Sequence, residues 1–132
     1  MRRVFEVRKM KYKNVKISLN INGKPVKFDS TAESERYLQL ALLEKAGKIS
    51  GLTLQPAFIL HEKFKRNGKA YRPDIYIADF QYQQNGKTIV EDVKGVKTPV
   101  YKLKMKRFLF LHPDLVFIEM TKKNNKWIEK VY

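Results

Sequence analysis

The 132-residue chain holds 28 Lys plus Arg against 13 Asp plus Glu, for a formal net charge of +15, and it holds no Cys. That length suits one domain spanning residues 1–132, and a 43% hydrophobic share excludes a wholly disordered tail. A disulfide framework and a thiolate zinc site are excluded, and two His make a His-rich metal site a poor reading. No apolar run exceeds four residues, and Met1 to Lys13 lacks the apolar stretch of a signal peptide. So many cations repel one another in a compact state. A polyanionic partner would relieve them, and nucleic acid is the first candidate, ahead of an anionic membrane surface.

The charge is uneven. Nine basic residues face one acid, Glu6, in residues 1–27, and residues 1–13 read as a candidate flexible basic arm. Val15 to Ile21 alternates apolar and polar, as a half-buried strand does. Asn22-Gly23 is a strong hairpin signal, and Pro25 to Phe28 returns, giving an N-terminal β-hairpin. Ser30 and Glu33 then have the spacing of a capping box. They open a helix that runs to about Ala46 and stops at Gly47. Leu38, Leu42 and Ala46 share one side, while Leu40, Ala41 and Leu43 lie on others, so burial on more than one face is expected.

Three strands follow: Leu52 to His61, with Pro56 at an edge or bulge; Tyr71 to Gln83; and Lys87 to Lys94. Turns at Arg66 to Lys69 and at Asn85-Gly86 separate them. Thr98-Pro99 opens a second helix that ends near Leu111, with Pro at its favoured first position. Leu115 to Met120 is a further core strand, and a turn at Lys122 to Lys126 leads to a last strand ending at Tyr132. The order is helix, three strands, helix, strand, behind the hairpin. It predicts an α/β fold with a mixed central β-sheet flanked by helices.

Register carries the most information. If Asn85-Gly86 is a two-residue turn, Gln84 pairs with Lys87, and stepping outward sets Asp79 opposite Asp92 on one face. Their Cβ atoms would lie about 4.5–5.5 Å apart. Lys94, two residues on, shares that face. Like charges placed opposite each other destabilise a sheet, so a divalent cation between the carboxylates is the reading that explains them. Hard oxygen ligands suit Mg²⁺ or Mn²⁺. Asp74 and Glu91 have the opposite parity, although a one-residue bulge would promote Glu91 in place of Asp92. Salt-bridged carboxylates at a solvated sheet end are the alternative.

Asp79, then Asp92-Val93-Lys94 after a hairpin, with an acid on a preceding helix, resembles the PD-(D/E)xK nuclease superfamily and its restriction-endonuclease-like core. Ala78 stands where the literal motif has Pro. More narrowly, Phe28-Asp29-Ser30, Ala32-Glu33, Gln55-Pro56, Tyr76 to Phe80 and Glu91 to Gly95 resemble small phage-encoded Holliday junction resolvases of the archaeal type. The resemblance spans roughly residues 28–111 and omits both termini. It implies a Mg²⁺-dependent endonuclease that acts as a homodimer on branched DNA, the four-way junction. It places the protein in the cytoplasm, that of the host cell if it is phage-encoded. Asp79 and Asp92 would hold the metal, Lys94 would orient or deprotonate the attacking water, and Glu33 would add a carboxylate. Gln55 would be a lesser member. Glu33 keeps two roles open, helix cap and active-site acid.

Lys97, Lys102, Lys104, Lys106 and Arg107, with Arg36 on the first helix, are the candidate contacts to DNA phosphates. Tyr101, Met105 and Phe108 form an apolar stripe at helical spacing and read as core. Trp127 and Tyr132 read as core or dimer residues before base-stacking ones. Neither His61 nor His112 has a partner that suggests a ligand.

Overall fold

A computed structural model describes the backbone of residues 5–9 and 15–132, and side chains from Ile17 onward. The expected arm lies partly outside these residues. Within it, Phe5–Lys9 form strand β1, antiparallel to β2 (Val15–Ile21). Strand β3 (Lys24–Phe28) closes the expected hairpin. Its turn residues Asn22 and Gly23 both have positive φ, 51° and 81°, as a two-residue turn between twisted strands requires.

Helix α1 is Thr31–Lys45, and the Ser30 side chain caps it by accepting the Glu33 backbone N–H at 3.1 Å. Glu33, Ser34, Tyr37 and Leu40 form its buried side. Leu42, expected on a buried side, is 65% exposed, and Leu43 is exposed too, so α1 buries one face where two were expected. Only the face toward β2, β3, β4 and β10 has a sheet to meet.

The long strands of the central hairpin are each broken. The segment expected from Leu52 to His61 is two strands, β4 (Ser50–Leu54) and β5 (Ala57–His61). The segment expected from Tyr71 onward splits likewise. Strands β6 (Phe64–Arg66) and β7 (Lys69–Tyr71) form a small hairpin of their own, followed by β8 (Asp74–Ile77) and β9 (Phe80–Gln84). The cause is local. Gln55 adopts φ 51° and Pro56 has no N–H, so the outer strand turns there. Its partner turns with it at Ala78 and Asp79. The Gln55 N–H donates to Asp79 O at 2.9 Å and the Ala78 N–H donates to Pro56 O at 3.0 Å. The kink is therefore shared by both strands, and it ends the regular β9–β10 ladder at Glu91↔Phe80, with the Asp79 N–H still donating to Glu91 O at 3.1 Å.

Strand β10 (Lys87–Val93) pairs with β9 in the expected register, from Lys87↔Gln84 to Glu91↔Phe80. Helix α2 (Pro99–Leu111) has the predicted bounds and crosses to β11 (Val116–Lys123), which lies parallel to β10. Strand β12 (Lys126–Val131) completes a five-stranded sheet of order β12-β11-β10-β9-β4. The molecule is an α/β fold with a central mixed β-sheet flanked by helices, a restriction-endonuclease-like core.

Two apolar clusters sandwich that sheet. Ile89, Ile118, Phe80 and Tyr82 meet Tyr37 and Leu40 of α1 and Phe28 of β3. Val90 and Phe117 meet Tyr101 and Phe108 of α2, together with Tyr76 of β8 and Leu60 of β5. The stripe Tyr101, Met105, Phe108 is core as expected. Phe108 is fully buried, and its truncation to Ala would cost about 3–5 kcal/mol. Because β10 is covered on both faces, adjacent residues point into different clusters. Glu91 and Asp92 are thus both buried, but in different surroundings.

Candidate active site at the hairpin kink

Asp79 sits at the kink, and its Oδ2 accepts the Val93 backbone N–H at 2.7 Å. Its carboxyl group lies close to that of Asp92. The β9–β10 register holds as far as Glu91↔Phe80, one pair short of Asp79 and Asp92. Asp92 is fully buried. Its Oδ2 accepts the Tyr76 hydroxyl, while its Oδ1 has no hydrogen-bond partner and lies 3.7 Å from Lys94 Nζ. Lys94 also sits over the Tyr101 ring, 4.7 Å from its centroid.

Glu33 reaches the same place from α1. Its backbone satisfies the cap, and its buried side chain faces Asp79 and accepts the Asp29 backbone N–H. The reciprocal half of a capping box would aim this carboxylate at Ser30, so the box is only half made. Glu33 and Asp79 line a cleft of about 420 Å³ with Gln55, Phe28 and Asp29, closed on one side by β3.

The electrostatics are those of a site short of positive charge. Burial first, then the Asp79 carboxylate, pushes Asp92 up to about 8, against the pull of Lys94 and the Tyr76 hydroxyl. Burial, then Asp79 and Asp29, pushes Glu33 up to about 8. Burial raises Asp79 as well, held back chiefly by the Val93 N–H and also by Lys94. One lysine does not offset three carboxylates in a desolvated cluster. Among the described residues, no three His, Cys, Asp or Glu side chains converge closely enough to form a metal cage alone.

A family model described as "Protein of unknown function (DUF1064)" matches residues 8–129. The chain belongs to that family. No curated protein matches it. Among solved structures, "Crystal structure of SSO0001" matches at 19% identity and TM-score 0.45, covering 76% of this chain and 51% of that one. The chain spans about half the length of that structure.

The expected basic contacts divide into two groups. Arg36 is directed inward, where Nε and Nη2 each donate to Glu91 at 2.8 Å on the α1 side of the sheet. Lys97 pairs with Glu119 at 2.6 Å. Lys104 and Arg107 pair with Asp74 at 3.5 and 3.3 Å, which sets Asp74 against α2. Lys102 and Lys106 form no ion pair among the described residues, and they share one side of α2.

Three contributors escaped the sequence reading. Tyr76 and Tyr101 anchor Asp92 and Lys94 respectively, and Glu119 is a further buried acid beside Asp92 in register. Alternation along β8 was the available signal for Tyr76. Nothing local signalled Glu119, because a parallel neighbour joined by a helix has no turn from which to count.

Proposed function

We propose that this protein is a metal-dependent endodeoxyribonuclease whose working groups are Asp79, Asp92, Lys94 and Glu33. One observation carries the reading: Asp92 Oδ1, fully buried and without a hydrogen bond, beside a second carboxylate. A buried carboxylate oxygen left unmatched is costly, and a divalent cation is the partner that two adjacent carboxylates fit. All donors here are oxygens, as Mg²⁺ or Mn²⁺ requires. Asp79 and Asp92 would hold the ion, and Glu33 would bind it or its water. Since these side chains do not close a cage alone, water and substrate phosphate oxygens would fill the remaining positions. The bound cation would acidify water and offset charge on the phosphate as it develops.

The protein's own groups supply the rest. Tyr76 fixes one oxygen of Asp92, so the other points at a set place. Lys94, braced on the Tyr101 ring, orients the attacking water and holds a non-bridging phosphate oxygen. Lys102 and Lys106 hold the flanking backbone without reading sequence. On the sequence resemblance, the substrate is the four-way DNA junction, cut symmetrically by a homodimer with one site per chain, in the cytoplasm, that of the host cell if the protein is phage-encoded.

The test is a labelled four-way junction beside linear duplex of the same sequence, with and without Mg²⁺. Paired symmetric cuts confined to the junction and dependent on Mg²⁺ are expected. Equal cleavage of linear duplex would overturn the junction reading and keep the nuclease. Tight binding with no cleavage in Mg²⁺ or Mn²⁺ would overturn the nuclease and leave a DNA-binding module.

A further inference from the structure

Tyr101 belongs to two places at once. Its ring carries Lys94, and its hydroxyl donates to Glu119 Oε2 at 2.7 Å in a second cavity of about 450 Å³. Helix α2 lines that cavity with Lys102 and Lys106, one turn apart, and with Met105 and Leu109 between and below them. Strand β12 and the residue after it add Lys130 and Tyr132 from the opposite side.

The charges in this cavity are unbalanced. Its one acid, Glu119, is already neutralised by Lys97 at 2.6 Å and bonded by Tyr101. Those partners outweigh burial and hold its carboxyl below the usual range. Lys102, Lys106 and Lys130 therefore face one cavity with no acidic side chain left to pair with among the described residues. Lys130 rests only on the Tyr132 ring, 4.6 Å from the centroid. Three ammonium groups around one space favour an anion. Apart from Lys97 and Tyr132 beside Glu119, the rest of the lining is apolar: half-buried Met105 and Leu109 and the Tyr101 ring. Inorganic phosphate would leave that surface uncovered, and paired duplex keeps its bases stacked away from it. A ligand with a phosphate at one end and a flat, largely apolar body at the other covers both.

We propose that this cavity binds a nucleoside phosphate in unstacked form, its phosphate among Lys102, Lys106 and Lys130 and its base against Met105, Leu109 and Tyr101. The binding stands by itself. Its role in cleavage rests on the nuclease reading, because Glu119 lies opposite Asp92 on the adjacent strand, about 4.8 Å away. A nucleotide here would neighbour the phosphate being cut. Unstacking a base is cheapest where the strand is unpaired, so the cavity would favour branched or frayed DNA over intact duplex without reading sequence.

The test follows backbone amides of the full chain by NMR without divalent cation, at fixed ionic strength, during titration with thymidine monophosphate, thymidine and inorganic phosphate. Saturable shifts at Lys102, Met105, Lys106, Glu119 and Lys130 are expected with the monophosphate. Inorganic phosphate and thymidine should each bind at least about tenfold more weakly, because each meets half of the lining. Lys102→Ala with Lys106→Ala should weaken the monophosphate about tenfold with the rest of the spectrum unchanged; both side chains are exposed, and Ala suits a helix. Equal affinity for inorganic phosphate, shifts centred elsewhere, or unchanged affinity in the double variant would overturn the proposal. A short single strand that displaces the monophosphate more readily than its duplex assigns the site to a nucleotide within a strand. A monophosphate displaced by neither assigns it to the free nucleotide. Because no cleavage is read, failure here and failure of the nuclease reading are separate results.

Discussion

Glu91 and Asp92 are consecutive residues of one strand, both fully buried, and they are treated in opposite ways. Glu91 points to the α1 side, where Arg36 grips both of its oxygens at 2.8 Å and the Tyr82 hydroxyl donates a further bond. Asp92 points to the α2 side, where one oxygen has Tyr76, the other has none, and burial with Asp79 holds the group up near 8. A planar guanidinium matched to a carboxylate offsets much of the cost of burying both. Two carboxylates and a lysine at 3.7 Å do not. A buried acid with a complete set of partners belongs to the framework. One left short, next to a second acid and a cleft, is placed to take something else.

Neutralising each acid in turn should give the largest effects. Asp92→Asn should abolish Mg²⁺-dependent cleavage and leave the melting temperature of the cation-free protein unchanged or higher. Glu91→Gln should do the reverse. It strands Arg36 with no counter-charge, at a cost of about 3–5 kcal/mol, and the melting temperature should drop by roughly 10–20 °C. The fraction that stays folded should still cleave. If Glu91→Gln silences folded protein while Asp92→Asn stays active, the chemistry sits on the α1 face and the register argument fails. Asp74→Asn, which frees Lys104 and Arg107 on α2, should leave cleavage intact.

Much of this contrast was legible before any coordinates. Asn85-Gly86 fixed the β9–β10 register, register fixed parity, and parity separated Asp92 from Glu91. Both helix starts were legible too, since Ser30 and Thr98 cap by purely local rules. What escaped was non-local. The shared kink needs Gln55 at positive φ, a conformation no rule assigns to a glutamine, and it depends on hydrogen bonds between the two strands. The partners of each acid were also hidden. Arg36 and Lys97 read as DNA contacts, and sequence does not show that each also pairs with a buried acid. Leu42 looked buried because periodicity does not say where the sheet ends.

Titration gives a second, smaller test. Asp92 and Glu33 have folded values of about 8, against ordinary values of 3.8 and 4.5. Between those limits the native protein keeps protons that the unfolded chain has released, so the unfolded state binds fewer and stability falls as pH rises. Cation-free protein should therefore lose melting temperature from about pH 5 to pH 8 and level off above. Asp92→Asn should flatten that slope. Mg²⁺ should oppose it, raising the melting temperature more at pH 8 than at pH 5, where protons compete for the same oxygens. Equal gains at both pH values would mean that the ion binds elsewhere.

The smallest effect separates the two roles of Glu33. Its backbone N–H is held by Ser30 Oγ, while its side chain is turned toward Asp79. Ser30→Ala removes the cap and should cost about 1 kcal/mol, a shift of a few degrees, with the Mg²⁺ concentration for half-maximal cleavage unchanged. Glu33→Gln keeps the cap and removes only the charge. It should leave the melting temperature equal or higher at pH 8, since it relieves a crowded carboxylate, and raise the Mg²⁺ requirement several-fold. The opposite pattern, a lower melting temperature and an unchanged Mg²⁺ requirement in Glu33→Gln, would make Glu33 a helix-end acid and confine the ion to the Asp79–Asp92 pair. The two variants differ only in which half of the capping box they touch, and the geometry gives one half to the helix and the other to the site.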